Sequence, residues 1–291
     1  MKFPLNLKHG LVKSNRVKAF MRFILWQLKS RLLKKEFIHN WIADSKFHVR
    51  NGETGLTQNI YVGLHEFEDM GFLLHFLRED DVFIDVGANS GSYSILAGAV
   101  CGSKVLAIEP VESTFQRLVR NLALNNLKQS STALNVGLGA ENDFLMMTSG
   151  MDTTNRIFIG HEQHATVRVE IKTLDDVAQN LNPALIKIDV EGWETNVLKG
   201  GLDTLKKASL EALIIELNES GSSYGYLDRD IVDMLQSLSF RPFSYDPFKR
   251  ELTALAGTNS QGGNTIFIRN KERVRNKLES AKPQEIFGIL I

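Results

Sequence analysis

Four acidic residues in this chain stand where carboxylates can meet a ligand: Asp85, Glu109, Asp189 and Glu191. Asp85 lies near the end of the apolar run VFIDV and is followed by Gly87, Asn89 and Gly91 at every second position. A glycine turn between a strand and a helix lets backbone approach a ligand at the helix amino end. An acid just before that turn repels a pyrophosphate but attracts a cation, or a ligand with amine and hydroxyl donors. Glu109 ends a second apolar run, KVLAIEP, where a carboxylate can accept hydrogen bonds from two ribose hydroxyls. Asp189 and Glu191 follow a third run in IKIDVEGWE. Ligands of open parallel sheets sit outside the carboxyl ends of strands, so these two acids aim at the same region. Lys187, inside that run, is expected to snorkel or to pair with one of them.

The elements that would carry these residues can be read from periodicity. Val82, Phe83, Ile84 and Val86 read as a strand buried on both faces, and Ser92 to Val100 as the helix after the turn. Lys104–Ile108 is a second strand, followed by an amphipathic helix over 112–126 carrying Phe115, Leu118, Leu122 and Leu124. Thr132–Leu138 reads as a third strand, with Asn135 to Gly137 near a ligand's adenine ring. Residues 141–172 read as an antiparallel excursion, with Val167, Val169 and Ile171 on one face, that would form the acceptor wall. His161 and His164 lie there and are further candidates for a general base. Leu185–Ile188 and Leu213–Leu217 are buried strands, the latter with Glu216 near its end. A helix over 228–238 and strands at 240–245 and 265–268 complete the series, and Glu66 sits on a helical stretch before the first strand. The plainer readings are an ordinary strand-to-helix turn at 87–91 and a capped helix start at 189–193.

Hydrophobic content of 43% and charged content of 23% are those of a soluble globular protein. The single cysteine, Cys101, excludes an internal disulfide and a multi-cysteine metal site, and a reducing compartment is the easier reading. A net charge of zero hides an asymmetry, because residues 1–50 hold twelve Lys or Arg against Glu36 and Asp44. The chain therefore reads as a basic amphipathic extension (1–47), a main domain (48–270) and a charged tail (271–291). In the extension Val17, Phe20, Met21, Ile24, Leu25, Leu28 and Leu32 recur at helical spacing. Three partners stay open for that helix: the domain or a second copy of the chain, an anionic membrane surface, or, least supported, nucleic acid. No uncharged run approaches the ~20 residues needed to cross a bilayer, so the expected location is cytoplasmic, including the inner face of a membrane.

Together these segments resemble the FkbM-type methyltransferase family. The resemblance rests on GLHEFE at 63–68, DVGANSG at 85–91, AIEP at 107–110, TLDD at 173–176, IKIDVEGWE at 186–194 and IIELN at 214–218. It implies a class I methyltransferase fold, an α/β Rossmann-like sheet of seven strands, all but one parallel, with helices on both faces. It also implies S-adenosylmethionine as methyl donor and a hydroxyl acceptor, on a sugar, a glycan or a similar natural product. By position, Asp85, Gly87, Ala88, Asn89, Gly91, Glu109, Pro110 and Asn135 would bind the donor. Asp189 and Glu191 would flank the reacting centre, with Asp189 the first choice of base, Glu191 the second and the two histidines the third. The pair could instead hold Mg²⁺, although no metal is assigned. A dinucleotide oxidoreductase would need G-x-G-x-x-G, which is absent here. An N-methyltransferase would need an Asn/Asp-Pro-Pro-aromatic segment where this chain has Asp189-Val190-Glu191-Gly192. The rival from outside enzymology is a non-catalytic scaffold that binds membrane or protein through its basic arm.

Overall fold

The apolar runs become neighbouring strands of one sheet in a computed structural model that describes residues 8–33, 36–50, 56–150, 154–160, 165–260 and 263–291. We number the main strands β1 (Val82–Val86), β2 (Lys104–Ile108), β3 (Ser131–Leu134), β4 (Asp143–Thr148) and β5 (Thr166–Lys172). β6 (Pro183–Ile188), β7 (Ala212–Glu216), β8 (Arg241–Asp246), β9 (Glu251–Ala254) and β10 (Asn264–Ile268) follow. The large sheet has the order β9-β8-β10-β7-β6-β1-β2-β3. The five strands from β3 to β7 in that order are mutually parallel. β10 runs antiparallel to both β7 and β8. The chain grows from β1 toward β3 and then returns to β6, so the switch point lies between β1 and β6, where ligands of such sheets bind.

Alternation within β1 and β6 builds two apolar layers. Ile84, Val86, Ile186 and Ile188 join one core with Ile231 and Leu235 of a helix over Asp228–Ser237. Phe83 and Leu185 join the other, with Leu118 and Leu122 of the helix Glu112–Leu124. Period-two geometry therefore sends Asp85 and Lys187 to the same face, and they are register partners across the β1–β6 pair.

Several elements depart from their expected form. The seven expected strands are joined by an eighth, β9, antiparallel on the edge beside β8. It is short and largely exposed, so it carries no apolar signal to read. The strand expected over 132–138 divides at Asn135: β3 ends at Leu134, and Gly137–Leu138 pair with β5 in a separate three-stranded sheet with β4. The helix at 92–100 is one α turn, Ser92–Ile95, that widens into a π turn over Leu96–Val100. The antiparallel excursion is present as β4 against β5, with Val169 and Ile171 packed on Met147 and Ile157. His161 and His164 fall outside the described residues.

The basic extension contains α1 (Arg16–Leu33), which lies on α2 (Thr57–Val62). α1 buries Ala19 and Trp26, and Phe23 meets the Tyr61 ring edge-on at 5.2 Å. Its apolar stripe faces outward, with Val17, Phe20, Met21, Ile24, Leu25, Leu28 and Leu32 all exposed. In the tail, Val274 and Leu278 of the helix Lys271–Glu279 are buried in the core, and Lys277 pairs with Asp81 at 2.9 Å. No helix among the described residues is long and apolar enough to cross a membrane.

Candidate active site

The turn after β1 is held by the approach of two backbones. Gly87 has φ +81°, and a Cβ there would lie 1.9 Å from the carbonyl oxygen of Asp189. Gly87 and Ala88 donate their N–H groups to the Ile108 carbonyl at the end of β2, at 3.0 and 2.9 Å. Asn89 has φ +49°, a left-handed conformation that Asn adopts more readily than most residues, which explains Asn where a glycine would serve. Its N–H donates to Glu109 Oε2 at 3.1 Å, and Glu109 Oε1 accepts from the Val111 N–H at 2.9 Å. Glu109 thus binds the turn to the exit of β2. Burial pushes its pKa up to about 7, against the opposing pull of those two hydrogen bonds.

Asp85 is almost fully buried and accepts a 2.6 Å hydrogen bond from Ser94 Oγ. Burial raises its pKa, opposed first by the neighbouring Lys187. The Lys187 ammonium reaches Asp189 Oδ2 at 2.6 Å and sits 4.6 Å from the centre of the Tyr93 ring. Burial disfavours that ammonium, yet Asp189, Glu66 and Asp85 outweigh it and hold its pKa above the ordinary lysine value. The odd lysine of β6 is therefore the counter-ion of the site.

The three acids of DVEGWE have separate work. Asp189 pairs with Lys187. Glu194 is buried and its Oε1 accepts from the N–H groups of Val190 and Gly192, closing the turn. Glu191 sits between them at φ +55°, in the left-handed region that strains a non-glycine residue. Its pKa is pushed up to about 7 by burial and then by Asp189. Carboxylate oxygens of Asp189, Glu191 and Glu216 lie within 4.8 Å of one another. Burial and those two acids also hold the Glu216 pKa well above the carboxylate range.

A cavity of about 290 Å³ joins these groups. Asp85, Gly87, Ala88, Asn89, Glu109, Pro110, Asp189 and Glu191 all line it. Gly91 and Asn135 stand behind its wall. A Cβ on Gly91 would meet Leu118 Cδ1 at 2.8 Å, and Asn135 Nδ2 donates to the carbonyls of Glu109 and Pro110 at 3.0 and 3.1 Å. Sequence reasoning did not assign Glu216, Tyr93 or Asn59 to the site, yet all three line the cavity. Glu216 carried the same signal as Asp189, an acid at the carboxyl end of a buried strand. Tyr93, which is buried, sat unremarked in an apolar helix.

So many buried acids make stability depend on pH. Glu109, Glu191 and Glu194 each have a folded pKa of about 7, above the ordinary 4.5. A carboxyl whose folded pKa is raised binds its proton more tightly when folded. Its contribution is fully present below pH 4.5 and is lost as pH rises through 7. The ligand-free protein is expected to melt several degrees lower at pH 8 than at pH 5.5, at about 2–4 °C per kcal/mol. Thermal scans across that range check it; a flat or rising profile contradicts the buried, uncompensated acids.

"Methyltransferase 1" of Beauveria bassiana is 29% identical over 171 residues, which cover 50% of this chain and 68% of that protein. "Hexuronic acid methyltransferase AglP" of Haloferax volcanii is 30% identical over 153 residues, 50% of this chain but only 59% of that protein. Among solved structures, M. jannaschii TYW2 in complex with AdoMet aligns with a TM-score of 0.41 and 13% identity, over 81% of this chain and 88% of that one. The sequence model of the family described as "Methyltransferase FkbM domain" matches residues 85–242, from Asp85 at the glycine turn through the acids of β6 and β7. That match takes in more than half of the chain, which belongs to the FkbM methyltransferase family.

Proposed function

We propose that the chain transfers the methyl group of S-adenosylmethionine to a hydroxyl oxygen of a small-molecule or sugar acceptor. The observation that carries this reading is one cavity that Glu109 and the glycine turn line together with Asp189, Glu191 and Glu216. Glu109 suits the ribose hydroxyls, and a phosphate-free, cationic donor suits a pocket so rich in carboxylates. A sugar acceptor draws support from the relative whose name specifies a hexuronic acid.

In the reaction the acceptor oxygen forms a bond to the methyl carbon as the carbon–sulfur bond breaks. The sulfonium leaves as a neutral thioether, and the hydroxyl proton passes to a base. A base is most effective when its pKa lies near the working pH. Glu191, at about 7, is matched to that task. Asp189, fixed by Lys187, suits orienting the acceptor rather than taking its proton, which reverses the order of preference drawn from sequence. Glu191→Gln is expected to lower kcat by about 10²–10⁴-fold with little change in donor affinity. Unchanged turnover would remove Glu191 from the chemistry.

A second reading rests on the same three carboxylates, whose spacing and hard oxygen donors suit one divalent cation such as Mg²⁺. Assay after exhaustive chelation separates the two: retained turnover supports the base, and loss restored by Mg²⁺ supports the metal. The donor site itself is tested by calorimetric titration with S-adenosylhomocysteine, with NAD as control. Micromolar binding is expected, weakened at least about tenfold in Glu109→Gln by loss of a charge-assisted pair of hydrogen bonds. No binding of S-adenosylhomocysteine would shift the reading to a scaffold.

A further inference from the structure

The outward face of α1 has no part in the cavity and is built unlike a protein surface. Val17, Met21, Leu25, Leu28 and Leu32 recur every three or four residues and form one stripe along the helix. They are 54–81% exposed. The opposite side, carrying Ala19 and Trp26, is the one buried against the domain. At 100° per residue Lys18 and Lys29 border the stripe on one side, and Arg31 on the other. Residues 8–33 contain seven Lys or Arg and no Asp or Glu.

We propose that this face of α1 is a membrane-surface helix that seats the protein on an anionic bilayer. The two features match the two layers of such a surface. The stripe enters the boundary between headgroups and acyl chains, while the basic borders stay at the level of the lipid charges. A second copy of the chain fits worse, because it would set basic borders against basic borders with no acid to relieve them. Nucleic acid would satisfy the charge and leave the stripe in water. The helix is also mounted rigidly. Arg22 Nε donates to the Tyr61 carbonyl at 2.8 Å, and its guanidinium stacks over Phe287 at 4.4 Å. Tyr61 belongs to α2, and the adjoining Leu56, Gln58 and Asn59 line the cavity. The bilayer contact is thus one helix away from the cavity wall, and it holds whatever the acceptor is.

The test is sedimentation of the full chain with vesicles of phosphatidylcholine alone, or with about one-third phosphatidylglycerol. Binding is expected only to the anionic vesicles, and should weaken as salt is raised. The double variant Leu25→Glu/Leu28→Glu should lower partitioning at least about tenfold. Lys18→Glu/Arg31→Glu should do likewise, at roughly fivefold per basic residue lost. All four positions are exposed, so thermal melting should stay unchanged and confirm that both variants fold. Failure of the wild-type chain to sediment with anionic vesicles would overturn the proposal, as would equal binding by both variants. Concentration-dependent dimerisation without lipid, abolished by Leu25→Glu/Leu28→Glu, would assign the face to a second copy instead.

Discussion

Gly87→Ala is expected to destabilise the chain by about 2–5 kcal/mol and to abolish binding of S-adenosylhomocysteine. Two separate costs combine. The residue has φ +81°, where any side chain is strained by about 1–2 kcal/mol. In addition, the new methyl would lie 1.9 Å from the Asp189 carbonyl oxygen and 2.9 Å from its carbonyl carbon. Those are backbone atoms and cannot rotate aside. Relief requires β1 and β6 to separate at their carboxyl ends, where the Asp189 N–H donates to the Val86 carbonyl at 3.0 Å. Gly150 supplies the control, since its φ is +85° but, among the described residues, nothing lies within 4 Å of a Cβ placed there. Urea unfolding of the two variants should therefore differ by the overpacking cost alone, about 1–3 kcal/mol. Equal midpoints would show that the close approach of the two backbones contributes little.

The same comparison shows why some of the site was readable from sequence and some was not. β1, β2, β6 and β7 are buried on both faces, so each gives a mainly apolar run, and an acid at or near the end of such a run stands out. Asp85, Glu109, Asp189 and Glu191 were legible for that reason, and all four line the cavity. Division of labour among the acids was not legible. Glu194 is one helical turn from Val190 and looks like any first-turn acid, yet it is spent on two backbone N–H groups. Asn135 marks a chain break that no local pattern announces, because Thr132–Leu138 is apolar enough to continue as a strand. The outward stripe of α1 has the spacing of a buried face. Periodicity reports that a face is apolar, not what covers it.

Lys187→Met should have an effect of similar size, a loss of about 3–5 kcal/mol at pH 8, the range for removing one member of a buried ion pair. The lysine is buried on the face it shares with Asp85, its register partner, and it contacts Asp189 directly. Methionine fills the space but leaves Asp85 charged in an apolar layer without its nearest cation. Asp189 contributes less to the loss, because its side chain is 27% exposed and water screens it. The pH dependence follows from the sign of that change. Without Lys187 the folded pKa of Asp85 rises further, so the penalty applies above that pKa and fades as pH falls and the acid takes up a proton. The deficit should therefore shrink between pH 8 and pH 5.5. Adding Asp189→Asn to Lys187→Met should cost less than the two single effects combined, since the second change removes a charge the first left unpaired. A loss below about 1 kcal/mol, equal at both pH values, would mean that Lys187 acts only as a spacer in β6. The predicted pattern would instead identify the lysine as the charge that allows Asp189, Glu66 and Asp85 to gather around one cavity.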